Sequence, residues 1–265
     1  MATSNLAIDY DEILARVSFY LHGKRSTSGF ATEETDNLTS IIKSGLRKFY
    51  YPQLVDPALT HAWSFLKPKL ELAVQASQYV FTLPDDFGGM VGSLSFSSGD
   101  NAVGEVVKTS PEAIDSLRST TDNTTGYPQF YAIRPRRVMG TEGQKWEVMT
   151  WPTPDGSYTL SGYYQVHPNA LDTTQKYPYG GLEHSETILE SCLAAAEQQL
   201  DGVQGVHSQN FLACLQASLN YDTRQHQAEY LGKNNNNGFA RGAGLHVRHL
   251  GLLRPVTYNG VEYTG

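Results

Sequence analysis

An α+β protein is expected from three observations. Apolar residues recur at helical spacing near both ends of the chain, over roughly 9–50 and 184–231. Between them the period shifts toward two. Past Gly232 the periodicity fails. These features predict a helical bundle built from N- and C-terminal helices, a β-rich middle insertion and an extended C-terminal tail. On this reading residues 1–58 and 183–231 form the bundle. Residues 59–182 form the insertion domain, and 232–265 form a tail that docks on a partner.

The first helix is expected over roughly 9–22, where Ile13, Leu14, Val17, Tyr20 and Leu21 repeat at threes and fours and Gly23 marks the stop. A Ser-, Thr- and Gly-rich linker follows. The second helix has Thr32 as its expected N-cap and acidic Glu33 and Glu34 in its first turn. Leu38, Ile41, Ile42, Gly45, Leu46, Phe49 and Tyr50 make its stripe. Lys43, Arg47 and Lys48 suit the negative end of the helix dipole, and Pro52 stops the helix.

Strands are expected at His61–Leu66, Tyr79–Leu83, Val91–Phe96, Val103–Lys108, Phe130–Arg134, Lys145–Trp151 and Ser157–Val166. Ser110-Pro111-Glu112 opens a short helix among them. Helix returns at 184 with Ser185 as the expected cap, breaks at Val203–His207, and continues to about Leu231. Two helical faces at each end have one apolar stripe apiece, so they are expected to bury them against one another.

Composition narrows the function classes. The chain has 265 residues, a net charge of −7 and only 18% charged residues, so a broad basic face that wraps nucleic acid is excluded. No apolar run approaches the roughly 20 residues of a membrane-spanning helix. Met1–Asn5 lacks the basic and apolar regions of a secretory signal, so none is expected. Cys192 and Cys214, the two cysteines, are expected to be buried free thiols.

The residues offer little chemistry. The eight histidines are scattered, without metal-ligand spacing, and no cofactor or metal is expected. Asp85-Asp86 follows Pro84 as turn residues do, and adjacent side chains diverge. No nucleophile elbow, phosphate loop or dinucleotide fingerprint occurs. Enzymatic activity is therefore not expected. Two basic zones stand out. One is the loop with Arg134, Arg136 and Arg137, a candidate contact with an acidic partner. The other is the tail, where Arg241, Arg248 and Arg254 would pair with an acidic surface and Leu250, Leu252 and Val256 would anchor an added strand.

Several stretches then carry a family likeness: Gly45-Leu46-Arg47-Lys48-Phe49-Tyr50-Tyr51-Pro52, His61-Ala62-Trp63-Ser64-Phe65-Leu66-Lys67-Pro68 and Tyr79-Val80-Phe81-Thr82-Leu83-Pro84-Asp85-Asp86-Phe87. Gly126–Ile133, Trp151–Leu160 and His184–Glu197 complete the series. In this order they resemble the head-to-tail adaptor (connector or neck, tail tubular gatekeeper-type) proteins of tailed bacteriophages. The likeness covers roughly 6–232.

The resemblance implies a structural virion protein, made in the host cytoplasm and placed in the neck. It implies a ring of twelve copies beneath the portal protein, with a tail or nozzle protein below. The ring would join capsid to tail and line the channel for DNA ejection, where genomic DNA passes non-specifically. No membrane partner is implied. Two other classes are weighed: a tail-associated hydrolase using Asp85, Asp86 or the histidines, and a tail or baseplate module binding a receptor or carbohydrate through clustered Trp63, Trp146 and Trp151.

Overall fold

The computed structural model describes residues 4–52, 61–97, 104–120, 124–138, 140 and 143–225, and the backbone of two short strands at 256–258 and 261–263. Residues 1–224 form one compact unit and 225–265 a second.

Helix α1 spans Tyr10–His22. Asp9 caps it, its carboxylate accepting the Glu12 amide at 2.8 Å. Gly23 ends it with φ +68°, the left-handed conformation a glycine adopts without a Cβ clash. Helix α2 spans Thr32–Tyr50. Its cap is Ala31 rather than the expected Thr32. The Glu34 carboxylate reaches back to the Ala31 amide at 3.0 Å, supplying half of a capping box.

After α2 the segment expected as a strand at 61–66 is instead a turn of 3-10 helix over Ser64–Leu66. Its residues are tied to other elements: Trp63 is buried and its indole N–H donates to the Phe49 carbonyl at 3.1 Å.

The β elements are β1 (Lys69–Val74), β2 (Val80–Thr82), β3 (Phe87–Phe96), β4 (Glu105–Lys108), β5 (Phe130–Pro135), β6 (Trp146–Trp151) and β7 (Tyr158–Val166), with α3 (Pro111–Thr120) between β4 and β5. They form one seven-stranded mixed sheet in the order β1-β7-β3-β4-β5-β6-β2. All neighbours are antiparallel except β4 and β5, which run parallel, with Val107 opposite Phe130. A parallel pair needs a crossover, and α3 is that crossover.

The sheet is nearly closed. Its two edge strands, β1 and β2, are consecutive in the chain and joined by residues 75–79 alone. Such a link reaches at most about 20 Å. A flat seven-stranded sheet would hold its edges about 29 Å apart. The sheet must therefore curl, and its strands alternate accordingly. Leu70, Leu72, Phe81, Leu94, Val106, Tyr131, Val148 and Leu160 share one core. Ala132 and Met149, each one residue on, pack on the other side against Ile114 of α3.

Helices α4 (Ser185–Asp201) and α5 (Val206–Gln225) follow. A 3-10 turn at Leu182–His184 leads into α4. Ser185 is the first helical residue rather than the cap. Its hydroxyl accepts the Ile8 amide at 3.1 Å and donates to the Gly181 carbonyl at 3.0 Å. A second core joins Ile13 and Val17 of α1, Leu38 to Phe49 of α2, Trp63, Leu66, Ile188 to Ala196 of α4, and Phe211 and Leu215 of α5. At its centre Gly45 meets Cys192, where an added Cβ would lie 2.5 Å from the Cys192 Cα. Only glycine permits that approach of α2 to α4.

The expected fold class is thereby overturned. The molecule is not a helical bundle built from terminal helices with a β excursion. Its described residues form five helices and a barrel-like sheet of seven strands in the middle of the chain, with a core of its own. The physical reason lies in β1. Its Leu70, Leu72 and Val74 alternate with exposed Lys69, Glu71 and Ala73, and it pairs along its length with β7. With β1 in place, the strands need no helix to bury their inner face.

Past α5 most of the expected tail lies outside the described residues, and two short strands fall within 256–263. Strands β8 (Val256–Tyr258) and β9 (Val261–Tyr263) pair with each other, Val256 opposite Tyr263. The backbone of Val256 thus already has a partner strand.

Candidate functional site

A groove of about 760 Å3 lies between the end of α2, the C-terminal half of α4 and the first half of α5. Its cationic side is Arg47 and Lys48. Its apolar side is Tyr51, Pro52, Pro168, Phe211, Leu212 and Leu215. Lys48 is half-buried and donates to Gln198 Oε1 at 2.8 Å, and burial lowers its pKa. Leu212, on the groove's wall, is 60% exposed. A smaller depression of about 290 Å3 adjoins it past Arg47 and Tyr51 and adds Lys43.

Helix α5, the outer wall, is held by polar anchors at both ends. At its start the Glu197 carboxylate accepts the amides of Gly205, His207 and Ser208 at 2.9, 3.3 and 3.0 Å. Burial would raise this carboxyl's pKa, but those amides outweigh it and hold it low. Glu190 Oε2 lies 2.9 Å from His207 Nδ1 beside them. At the far end buried Asp222 meets His61 Nε2 at 2.7 Å and receives the Ser64 amide and hydroxyl. Here too burial raises the pKa, and the hydrogen bonds from Ser64 and His61 bring it below the ordinary value.

Near Asp222, His184 is buried among the rings of Phe49, Trp63, Phe65 and Tyr221, at 6.0, 5.3, 5.1 and 6.0 Å. Its pKa is lowered, chiefly by burial. This is an architectural joint; its residues face one another rather than an open cleft.

The basic loop expected from sequence is the tip of the β5–β6 hairpin. Arg134 is not at that tip: its Nε pairs with Glu147 Oε1 at 2.5 Å across the two strands. Arg136, Arg137 and Val138 are exposed. In the tail, Arg241, Arg248, Leu250, Leu252 and Arg254 lie outside the described residues, and Val256 is described by its backbone alone. Nothing brings the hairpin arginines to the groove.

The paired carboxylates diverge. Asp85 pairs with Lys145 at 3.3 Å, whereas Asp86 accepts the Tyr164 hydroxyl at 3.3 Å. The three tryptophans do not make one platform either: Trp63 is 1% exposed in the helical core, while Trp146 and Trp151 lie five residues apart on β6 and so face opposite ways. Cys192 and Cys214 are free. Cys192 is buried, with its pKa pushed up to about 12 by burial, and Cys214 is half-buried. Among the described residues no cluster of His, Cys, Asp and Glu could hold a metal, and no helix is long and apolar enough to cross a membrane.

Sequence reasoning placed Lys43, Arg47 and Lys48 correctly at the end of α2 but assigned them only to the helix dipole. The available signal was their company: Tyr50, Tyr51 and Pro52 follow directly, an aromatic and cationic mixture unlike a merely solvated helix end.

A model of the family described as SU10 adaptor protein matches residues 8–235, most of the chain. No curated protein matches it.

Proposed function

Because the chain belongs to the SU10 adaptor protein family, and is thereby a phage adaptor protein, we propose that it joins head to tail as a ring beneath the portal. Twelve copies would surround the channel through which genomic DNA leaves. The portal protein would lie above and a tail or nozzle protein below, placing the chain in the neck of the virion. The role is structural, without catalysis.

The family match over residues 8–235 carries this reading. Physical features accord with it. A large share of the surface must be built without charge, since only 18% of residues are charged and 16 are tyrosine. Such surfaces suit permanent protein contacts. The net charge of −7 suits a conduit that must let DNA slide rather than grip it. A subunit that meets its neighbours head to tail closes a ring when the rotation per copy divides a full turn.

Electron cryo-microscopy of the virion neck tests the proposal. The expected density is a twelve-fold ring, fitted by residues 8–225, directly beneath the portal. A neck whose density contains no copy of this chain, or copies located elsewhere on the particle, would overturn it.

A further inference from the structure

Helix α2 carries opposite charges at its two exposed ends. Glu33 and Asp36 are exposed in its first turns, three residues apart and so on one face. Lys43 and Arg47 are exposed near its other end, four residues apart, and Arg47 lines both the groove and the adjoining depression. Among the described residues the linings of the two together include Lys43, Arg47 and Lys48 and no carboxylate. In a chain of net charge −7 that is a local reversal of sign.

We propose that this groove receives the acidic first turns of α2 from a second copy of the chain. The contact is heterologous: the acidic end of one copy enters the cationic, apolar-floored groove of the next. It rests on the reading of the chain as a ring-forming adaptor, and it names the surfaces through which the copies meet.

Geometry and charge select this occupant. Glu33 and Arg47 stand about 21 Å apart along one continuous helix, so they cannot meet within a copy. The C-terminal segment is of the wrong sign: residues 226–265 carry Lys233, Arg241, Arg248 and Arg254 against Glu229 and Glu262. Duplex DNA suits the site poorly, because Phe211, Leu212, Leu215 and Pro168 offer its phosphates nothing. A helix end with two carboxylates fits both sides of the groove, its body against the apolar wall and its charges toward Lys43, Arg47 and Lys48.

Two charge-reversed variants of the full chain test this: K43E/R47E and E33K/D36K. All four positions are exposed, and circular dichroism checks that both variants fold. Sedimentation velocity at low and high salt reads association. The wild type is expected to self-associate with rising concentration at low salt and to dissociate at high salt. Each variant alone is expected to associate about a hundredfold more weakly or not at all. Mixed in equal amounts they are expected to associate again, since each then offers the sign the other lacks.

Wild-type protein that stays monomeric at low salt would overturn the proposal. So would variants that associate like the wild type, mixing that restores nothing, or a groove that binds duplex DNA with the K43E/R47E change abolishing it. Variants that associate normally would leave the ring beneath the portal intact as a reading and move the copy-to-copy contact elsewhere. The neck density decides that reading independently.

Discussion

Asp222 shows how much one buried carboxylate can hold. It lies on the last turns of α5 yet fastens the segment that leads toward β1, through His61 and through the amide and hydroxyl of Ser64. Replacing it with alanine leaves those donors facing a void. The D222A variant is expected to lose about 1–3 kcal/mol of stability, read from the urea midpoint at constant slope. A pH dependence follows. The folded-state pKa is depressed below its ordinary value, so the carboxylate's stabilising contribution is complete above about pH 4. It is lost as pH falls through the folded value. Wild-type stability should therefore drop more steeply below pH 4 than that of D222A, whose profile lacks this component. Parallel profiles would refute the assignment. None of this was legible in the sequence. Asp222 reads as one more residue on a helix face, and the 161 positions that separate it from His61 hide the pairing. Gly45 was legible only as a member of a stripe. That it sets the approach of α2 to α4 depends on where Cys192 falls, 147 positions later by number.

Elements were readable where their period was clean. Helix α1 begins and ends within a residue of its expected limits, and α3 begins at its expected opening, because Gly23 and Ser110-Pro111 are local signals. Ser110 Oγ accepts the Ala113 amide at 3.2 Å, as a cap should. Strands β5, β6 and β7 were likewise foreseen. Two errors lie side by side. Residues 61–66 read as a strand from their aromatic and apolar content, whereas Trp63 is fixed by packing on Phe49, ring centroids 5.0 Å apart. Lys69–Val74 went unassigned although it alternates strictly. Short, close segments compete for the same strand signal, and tertiary context decides between them.

The crossover helix α3 gives a prediction at this scale. Ile114 is fully buried against Ala132 and Met149, and Arg118 sits over the Tyr79 ring at 3.5 Å while donating to Thr153 at 2.9 Å. Ile114 is the one fully buried residue of α3. I114A is expected to cost about 2–4 kcal/mol locally. Hydrogen exchange should accelerate across 111–120 and the facing parts of β5 and β6, with α1, α2 and α4 protected as before. Uniform acceleration throughout the chain would show instead that α3 unfolds only with the whole unit.

At the scale of the whole molecule the sheet sets the architecture, and its closure was the least legible feature. Strand order β1-β7-β3-β4-β5-β6-β2 sends the chain from one edge to the other in a single short link and then fills the interior strands later. No periodicity encodes such an order, because it depends on pairings between strands up to 94 positions apart, as between Lys69 and Tyr163. The likeness to a phage adaptor protein, by contrast, was legible, since it needs only the succession of segments and not their pairing. The division of the chain into 1–224 and 225–265 carries the last prediction. Both major cores, the helical one around Phe49 and Cys192 and the sheet's own around Tyr131 and Leu160, lie wholly within the first unit. Asp222 and its anchors do so as well. A chain ended after Leu231 therefore retains every buried contact described and is expected to melt cooperatively within a few degrees of the full-length protein. If the removed segment is the docking element, with Arg241, Arg248 and Arg254 pairing to an acidic surface, this folded truncation should fail to join phage heads in a complementation assay. A truncation that melts normally and yields infectious particles at full efficiency would assign docking to the first unit. One that cannot fold would show that residues 232–265 stabilise it, although both major cores lie within 1–224.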